Sequence, residues 1–216
     1  MSVIVVLKTL PYVERDADYL NASDYYPFLN ALAKDFKATR VLEIGVRFGY
    51  SAVAFIYGNP VNLYVGVDNN SYDTTINYGS PLVPSLSKAR VNLEYLNTIQ
   101  PVEFTLLKKD TQNLLDLSFL GTTGFDFIHI DGDHSYEGTL TDIKNFWNVL
   151  ALGGHMLVDD SLFIPAVNAA CIKFSEIINE PCYNVKSLRG TWVFLKTQER
   201  SFPISTSIDE RTRHAP

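Results

Sequence analysis

Five short apolar runs, residues 40–44, 62–68, 102–107, 125–130 and 155–158, alternate along this chain with stretches of helical spacing. Nearly continuous apolar runs of this length belong to strands covered on both faces. Strands covered on both sides, each followed by a helix, fold as a parallel sheet between two helical layers. The expected fold class is therefore α/β. Two further extended segments, CYNVKSL and TWVFLKT, flank Arg189-Gly190 and predict an antiparallel hairpin that brings the sheet to seven strands.

The helices expected between strands cover residues 50–57, 85–99, 112–117, 136–150 and 165–178, the last opened by Pro165 at a first-turn position. Residues 1–38 form a tyrosine-rich N-terminal segment (Tyr12, Tyr19, Tyr25, Tyr26). It ends in a helix with Phe28, Leu29, Leu32 and Phe36 at helical spacing. This segment packs against the main domain or acts as a lid over a substrate pocket. Residues 39–197 make the main domain, and 198–216 a loose polar tail. The stretch 69–84 (NNSYDTTINYGSPLVP) is long and rich in turn residues, the pattern of a functional or mobile loop.

A formal charge of −6 argues against a non-specific nucleic-acid binder. The opening MSVIVVLK is too short an apolar run for a signal peptide or a membrane span. Cys171 and Cys182 make neither a metal pattern nor a disulfide framework, and they read as small buried residues in a reducing compartment. The default expectation is a cytoplasmic protein without nucleic-acid or membrane partners. The N-terminal segment and the hairpin could each pack against a second copy.

VLEIGVRFGYSA joins the first strand to its helix. Gly45 and Gly49 suit positive φ or a close ligand approach. The turn is neither the dinucleotide fingerprint GxGxxG nor a phosphate loop. Glu43 would compete with a pyrophosphate there and suits a cationic group such as an ammonium or a sulfonium. Asp68 ends the second strand, where an acid commonly holds ribose hydroxyls. Asp110 sits beside an adenine or caps a helix. Asp131, and the pair Asp159-Asp160, end strands four and five. Parallel neighbours gather these carboxylates at one sheet edge, beside the glycine turn, as hard oxygen ligands for a divalent cation.

With the E-x-G-x-x-x-G turn (Glu43, Gly45, Gly49), the acid ending strand two and the terminal hairpin, residues 41–196 resemble the class I S-adenosylmethionine-dependent methyltransferases. The resemblance implies a Rossmann-like, doubly wound, mostly parallel sheet with helices on both faces. It also implies a cofactor site of Glu43, Gly45, Phe48, Gly49, Ser51, Asp68, Asn69, Asp110, Thr111 and Asp131. The segments IDGDHSYEG and VDDS are similar to the metal-dependent O-methyltransferases of the catechol type. IDGDHSYEG is closer still to the macrocin/sugar type and a cephalosporin-hydroxylase-like group. This likeness implies Mg²⁺ on Asp131, Asp159 and Asp160, and a small acceptor with adjacent hydroxyls. His134 would be the general base, with Asp133 as its competitor. Arg47 departs from the catechol pattern, which has an aromatic in its place, and Phe48 follows it.

Three other readings stay open: a metal-independent methyltransferase with structural acids, a cofactor-binding module without catalysis, and an iron-dependent hydroxylase. The last lacks an evident two-histidine-one-acid set. His129 and His155 lie inside strands and read as hydrogen-bonded core residues, and His214 lies in the tail.

Overall fold

The computed structural model describes residues 2–12, 24–70, 85–186 and 188–207. Expectations that fall on Tyr19, on residues 71–84 of the long polar stretch and on the tail beyond Ser207, His214 included, lie outside the described residues.

Seven strands form one sheet: β1 (Arg40–Ile44), β2 (Leu63–Asp68), β3 (Glu103–Lys108), β4 (Phe125–Ile130), β5 (Leu150–Val158), β6 (Cys182–Val185) and β7 (Thr191–Leu195). Their order is β3-β2-β1-β4-β5-β7-β6. β1 to β5 pair in parallel, and β7 runs antiparallel to both β5 and β6. Six helices accompany them among the described residues: α1 (Val3–Thr9), α2 (Tyr25–Asp35), α3 (Tyr50–Ile56), α4 (Ser85–Ile99), α5 (Tyr136–Trp147) and α6 (Pro165–Ile178). The α/β, doubly wound architecture is the expected one.

Two apolar cores explain the layering. Val41, Tyr64, Phe127 and Leu157 pack on one sheet face with residues of α1, α2, α3 and α4. Leu42, Ile44, Val65, Ile128 and Ile130 pack on the other with α5 and α6. Alternate residues of each central strand thus enter different cores, which is why these strands read as continuously apolar. The edge strand β3 is only partly buried and carries Glu103, Thr105 and Lys108 outward.

Several boundaries differ from expectation for local reasons. The helix predicted at 112–117 is replaced by two 3₁₀ turns, Thr111–Asn113 and Ser118–Leu120. Asp110 and Asp116 accept from the backbone N–H two residues on, at Gln112 (3.0 Å) and Ser118 (2.8 Å), and these local bonds compete with a helix. β5 starts at Leu150, not 155. Its first residues pair through a register shift opposite Phe125 and Phe127, with Gly153 at φ +77°. The helix α1 was not anticipated; it buries Val3, Val6 and Leu7.

The segment after Gln198 is not loose as far as Ser207. Asn145 donates to the Ser205 carbonyl (2.8 Å) and accepts from its N–H (3.0 Å). Asn148 does the same with Phe202, at 2.9 and 2.7 Å. Phe202 packs on Phe174 with ring centroids 5.7 Å apart. Cys171 and Cys182 are free thiols. Among the described residues, no helix is long and apolar enough to cross a membrane.

Candidate active site

The chain reverses winding direction between β1 and β4, and a crevice opens there at the carboxyl ends of the strands. It is a cleft of about 600 Å³ whose wall includes Gly45, Arg47, Asp68, Asp110, His134 and Arg189. That volume suits a ligand of nucleoside size.

The glycine turn is built by close backbone approach. Gly45 has φ +88°, and a Cβ there would lie 2.0 Å from the Asp131 carbonyl oxygen. Only glycine lets β1 leave the sheet so near the end of β4. Asp68 braces the same turn: one carboxylate oxygen accepts from the N–H groups of Val46 (3.0 Å) and Arg47 (2.9 Å), the other from Asn70 (2.6 Å). Arg47 is exposed, adopts φ +50°, and stands on the cleft wall with its guanidinium 5.6 Å from the Phe48 ring centre. A non-glycine residue at positive φ is a strained feature of the kind found in ligand-binding turns.

Of the residues assigned to a cofactor, Gly45, Asp68, Asn69, Asp110, Thr111 and Asp131 line the cleft. Glu43, Phe48, Gly49 and Ser51 stand off this wall. Gly49 starts α3 in the left-handed conformation, against Ala89 of α4. Phe48 belongs to the core. The picture of Glu43 facing a cationic ligand group is corrected. Its side chain is fully buried; Tyr64 donates to Oε2, and Oε1 lies 2.9 Å from Nδ1 of His129. The register pairs Glu43 with His129, so the two point to the same face of the sheet, and neither lines the crevice.

The same row continues to Asp159. His129 Nε2 stands 3.5 Å from Asp159 Oδ2. That oxygen accepts from the Tyr25 hydroxyl, and Oδ1 accepts from Thr191 Oγ1 at 2.5 Å. Asp159 is 1% exposed, and burial pushes its carboxyl up to about 7, against the pull of Thr191 and Arg189.

Asp160 faces elsewhere. Its two oxygens accept from Nε and Nη2 of Arg189, both at 2.5 Å. His134 Nε2 lies 3.1 Å from Asp131 Oδ1 and 3.4 Å from Asp160 Oδ2. The bond to Asp131 raises the His134 pKa above its ordinary value, and burial opposes this only in part. Burial works to raise Asp131 as well. The His134 bond and the Arg189 guanidinium outweigh it and hold this carboxyl low.

The expected three-acid site therefore does not form. Among the described residues, potential ligand atoms gather in two groups, His129-Asp131-Asp159 and Asp131-His134-Asp160, with only Asp131 in common. Each set holds two carboxylates and an imidazole. Mg²⁺ prefers an octahedron of oxygens. In the first set Tyr25 and Thr191 already bond Asp159; in the second Arg189 takes both oxygens of Asp160. This donor arrangement does not fit Mg²⁺.

Asp133, the alternative base, accepts from Ser135 N–H at 2.7 Å, and its backbone carbonyl accepts from the Thr139 hydroxyl at 2.9 Å. It packs so closely on Gly138 that a Cβ there would meet its carboxylate at 2.3 Å. Its bonds thus hold the start of α5. Sequence reasoning missed Arg189, Lys109 and Gln112, which also line the cleft. The Arg189-Gly190 turn was the only local signal for the first.

A family model described as "Methyltransferase domain" matches residues 42–161, more than half of the chain. The chain belongs to this methyltransferase family. No curated protein matches it. A Podospora anserina methyltransferase bound to SAH shares 18% identity and a TM-score of 0.62, covering 92% of this chain and 89% of that one. A cofactor-bound protein from MTB shares 20% identity and a TM-score of 0.60, over 91% and 88%. An O-methyltransferase from Bacillus cereus in complex with SAH shares 18% identity and a TM-score of 0.56, over 90% of each chain. At these identities the likeness is one of fold. The protein is a methyltransferase with the fold of these cofactor-bound and SAH-bound structures, and its matched region runs from β1 through the β4 and β5 ends that carry His134 and Asp160.

Proposed function

We propose that this methyltransferase moves the methyl group of S-adenosylmethionine to a hydroxyl oxygen of a small acceptor, with His134 as general base. The observation that carries this reading is the His134-Asp131 pair, at 3.1 Å, on the wall of the cleft that also holds Asp68 and the Gly45 turn. In that pocket Asp68 and Asn69 would hold the ribose. Asp110, Thr111 and Gln112 would flank the adenine, and the methyl group would point toward His134.

The chemistry is a displacement at carbon. The acceptor oxygen attacks the methyl group, the carbon–sulfur bond breaks, and its electron pair stays on sulfur. The acceptor proton leaves to His134. With Nε2–H donated to Asp131, the neutral imidazole keeps its lone pair on Nδ1, and the carboxylate stabilises the imidazolium that forms. Holding nucleophile, carbon and sulfur in line supplies much of the acceleration. The acceptor is a small hydroxylated molecule, and the cytoplasm is the compartment in which this reading places the protein.

Calorimetric titration with S-adenosylmethionine tests the first half of the reading. No heat of binding at cofactor concentrations on the order of 1 mM would defeat it. Turnover on catechol and sugar diols, followed as S-adenosylhomocysteine, tests the second.

A further inference from the structure

The site already holds a fixed positive charge. Arg189 grips Asp160 with two parallel bonds of 2.5 Å, and Asp160 is almost fully buried. The guanidinium also lies 5.0 Å from the centre of the Tyr25 ring, whose hydroxyl bonds Asp159. One side chain thus bonds Asp160 and lies against the ring whose hydroxyl bonds Asp159.

The tip that carries it is clamped. Leu162 N–H donates to the Arg189 carbonyl and Ser161 N–H to that of Gly190, both at 3.0 Å. Gly190 has φ +80°, and a Cβ there would meet the Leu162 nitrogen at 2.5 Å. The hairpin tip can approach the β5 end this closely only because position 190 is glycine. Arg189 is held by its backbone as well as by its charge.

We propose that Arg189 is the resident cation of this site, holding the Asp160 carboxylate that the Asp131-His134-Asp160 group would otherwise offer a divalent metal, so that methyl transfer here requires no divalent metal. The argument is one of charge and geometry. A planar fork matches a carboxylate and satisfies both of its oxygens. A divalent ion bound to either oxygen would face the guanidinium at close range, at a cost that grows in a buried site. Because Arg189 also lines the cleft, the same charge faces the acceptor oxygen as it loses its proton. This proposal rests on the location of the active site given above.

The test titrates Mn²⁺ alone into the full chain and follows the paramagnetic resonance signal of the free ion, with MgCl₂ calorimetry in parallel. The wild type should take up no ion at concentrations on the order of 1 mM, whereas Arg189→Ala should bind one ion at least about tenfold more tightly. Arg189→Gln, which keeps a polar side chain but loses the charge, carries the same expectation if the alanine variant does not fold. Uptake of one ion by the wild type overturns the proposal. So does a folded, uncharged variant that still refuses the ion, because the exclusion would then not be due to Arg189. S-adenosylmethionine is titrated into the same samples: its failure to bind defeats the methyl-transfer reading and leaves the cation result to be judged separately.

Discussion

Asp159 and Asp160 are consecutive in the chain and turn their carboxylates to different partners: Asp159 to Tyr25, Thr191 and the buried His129, Asp160 to Arg189 and His134. Asp159 still follows the strand, its N–H bonded to the Ile130 carbonyl at 3.1 Å. Asp160 leaves it in the left-handed region at φ +64°. The change of backbone conformation separates the two acids, one into a buried polar row and the other toward His134 and Arg189, which line the cleft.

His134→Gln should lower turnover by about 10²–10⁴-fold while changing cofactor affinity little, because it removes a proton acceptor and not a binding group. The bond to Asp131 raises the His134 pKa, so wild-type activity should fall as pH drops through an apparent value above 6.5. Asp131→Asn should shift that limb to lower pH. A pH profile of methyl transfer unchanged by Asp131→Asn would remove the dyad from the mechanism.

Gly45→Ala should destabilise the fold by roughly 3 kcal/mol or more, since it adds a backbone clash to an unfavourable positive φ. Gly58 has φ +73° and open space for 4 Å around the place a Cβ would take, so Gly58→Ala isolates the conformational part, about 1 kcal/mol. Urea denaturation of the two variants measures the difference. Equal losses would mean that the β1–β4 approach is looser than 2.0 Å implies.

Asp142 is fully buried on α5, with Oδ1 accepting from Gln112 Nε2 at 3.1 Å and Oδ2 without a partner among the described residues. Burial pushes its pKa up to about 8, against the pull of Thr111 and Gln112. The folded state therefore keeps a proton that the unfolded chain loses near 3.8, and stability falls as pH rises from there to about 8. Asp142→Asn, which mimics the protonated acid, should remove up to about 1.4 kcal/mol per pH unit of this slope. Denaturation midpoints between mildly acidic and mildly alkaline buffer check it, and parallel curves for the two proteins would refute it.

Tyr25→Phe removes the hydroxyl that bonds Asp159 and should cost about 1–3 kcal/mol. The cost should be greater above the Asp159 pKa of about 7, where the ionised carboxylate needs that donor, than well below it. Thermal melts on both sides of neutrality test this. A loss independent of pH would leave Tyr25 as packing alone.

The parallel order of β1 to β5 and the places of Asp68, Asp131 and His134 were legible in the residues, because an apolar run ending in a polar residue marks both the strand and its functional end. The inward turn of Glu43 was not. The choice of face depends on register with β4, where His129 lies alongside it.

The sequence by itself determined that this chain would be an α/β sheet with its polar residues collected at one edge, since hydrophobic period and turn chemistry are local properties. Only the tertiary structure decided which of those groups meet. Arg189 comes from the hairpin and Tyr25 from α2, far from Asp159-Asp160 in the chain, and contacts across such separations are fixed by packing and charge pairing that no local pattern encodes.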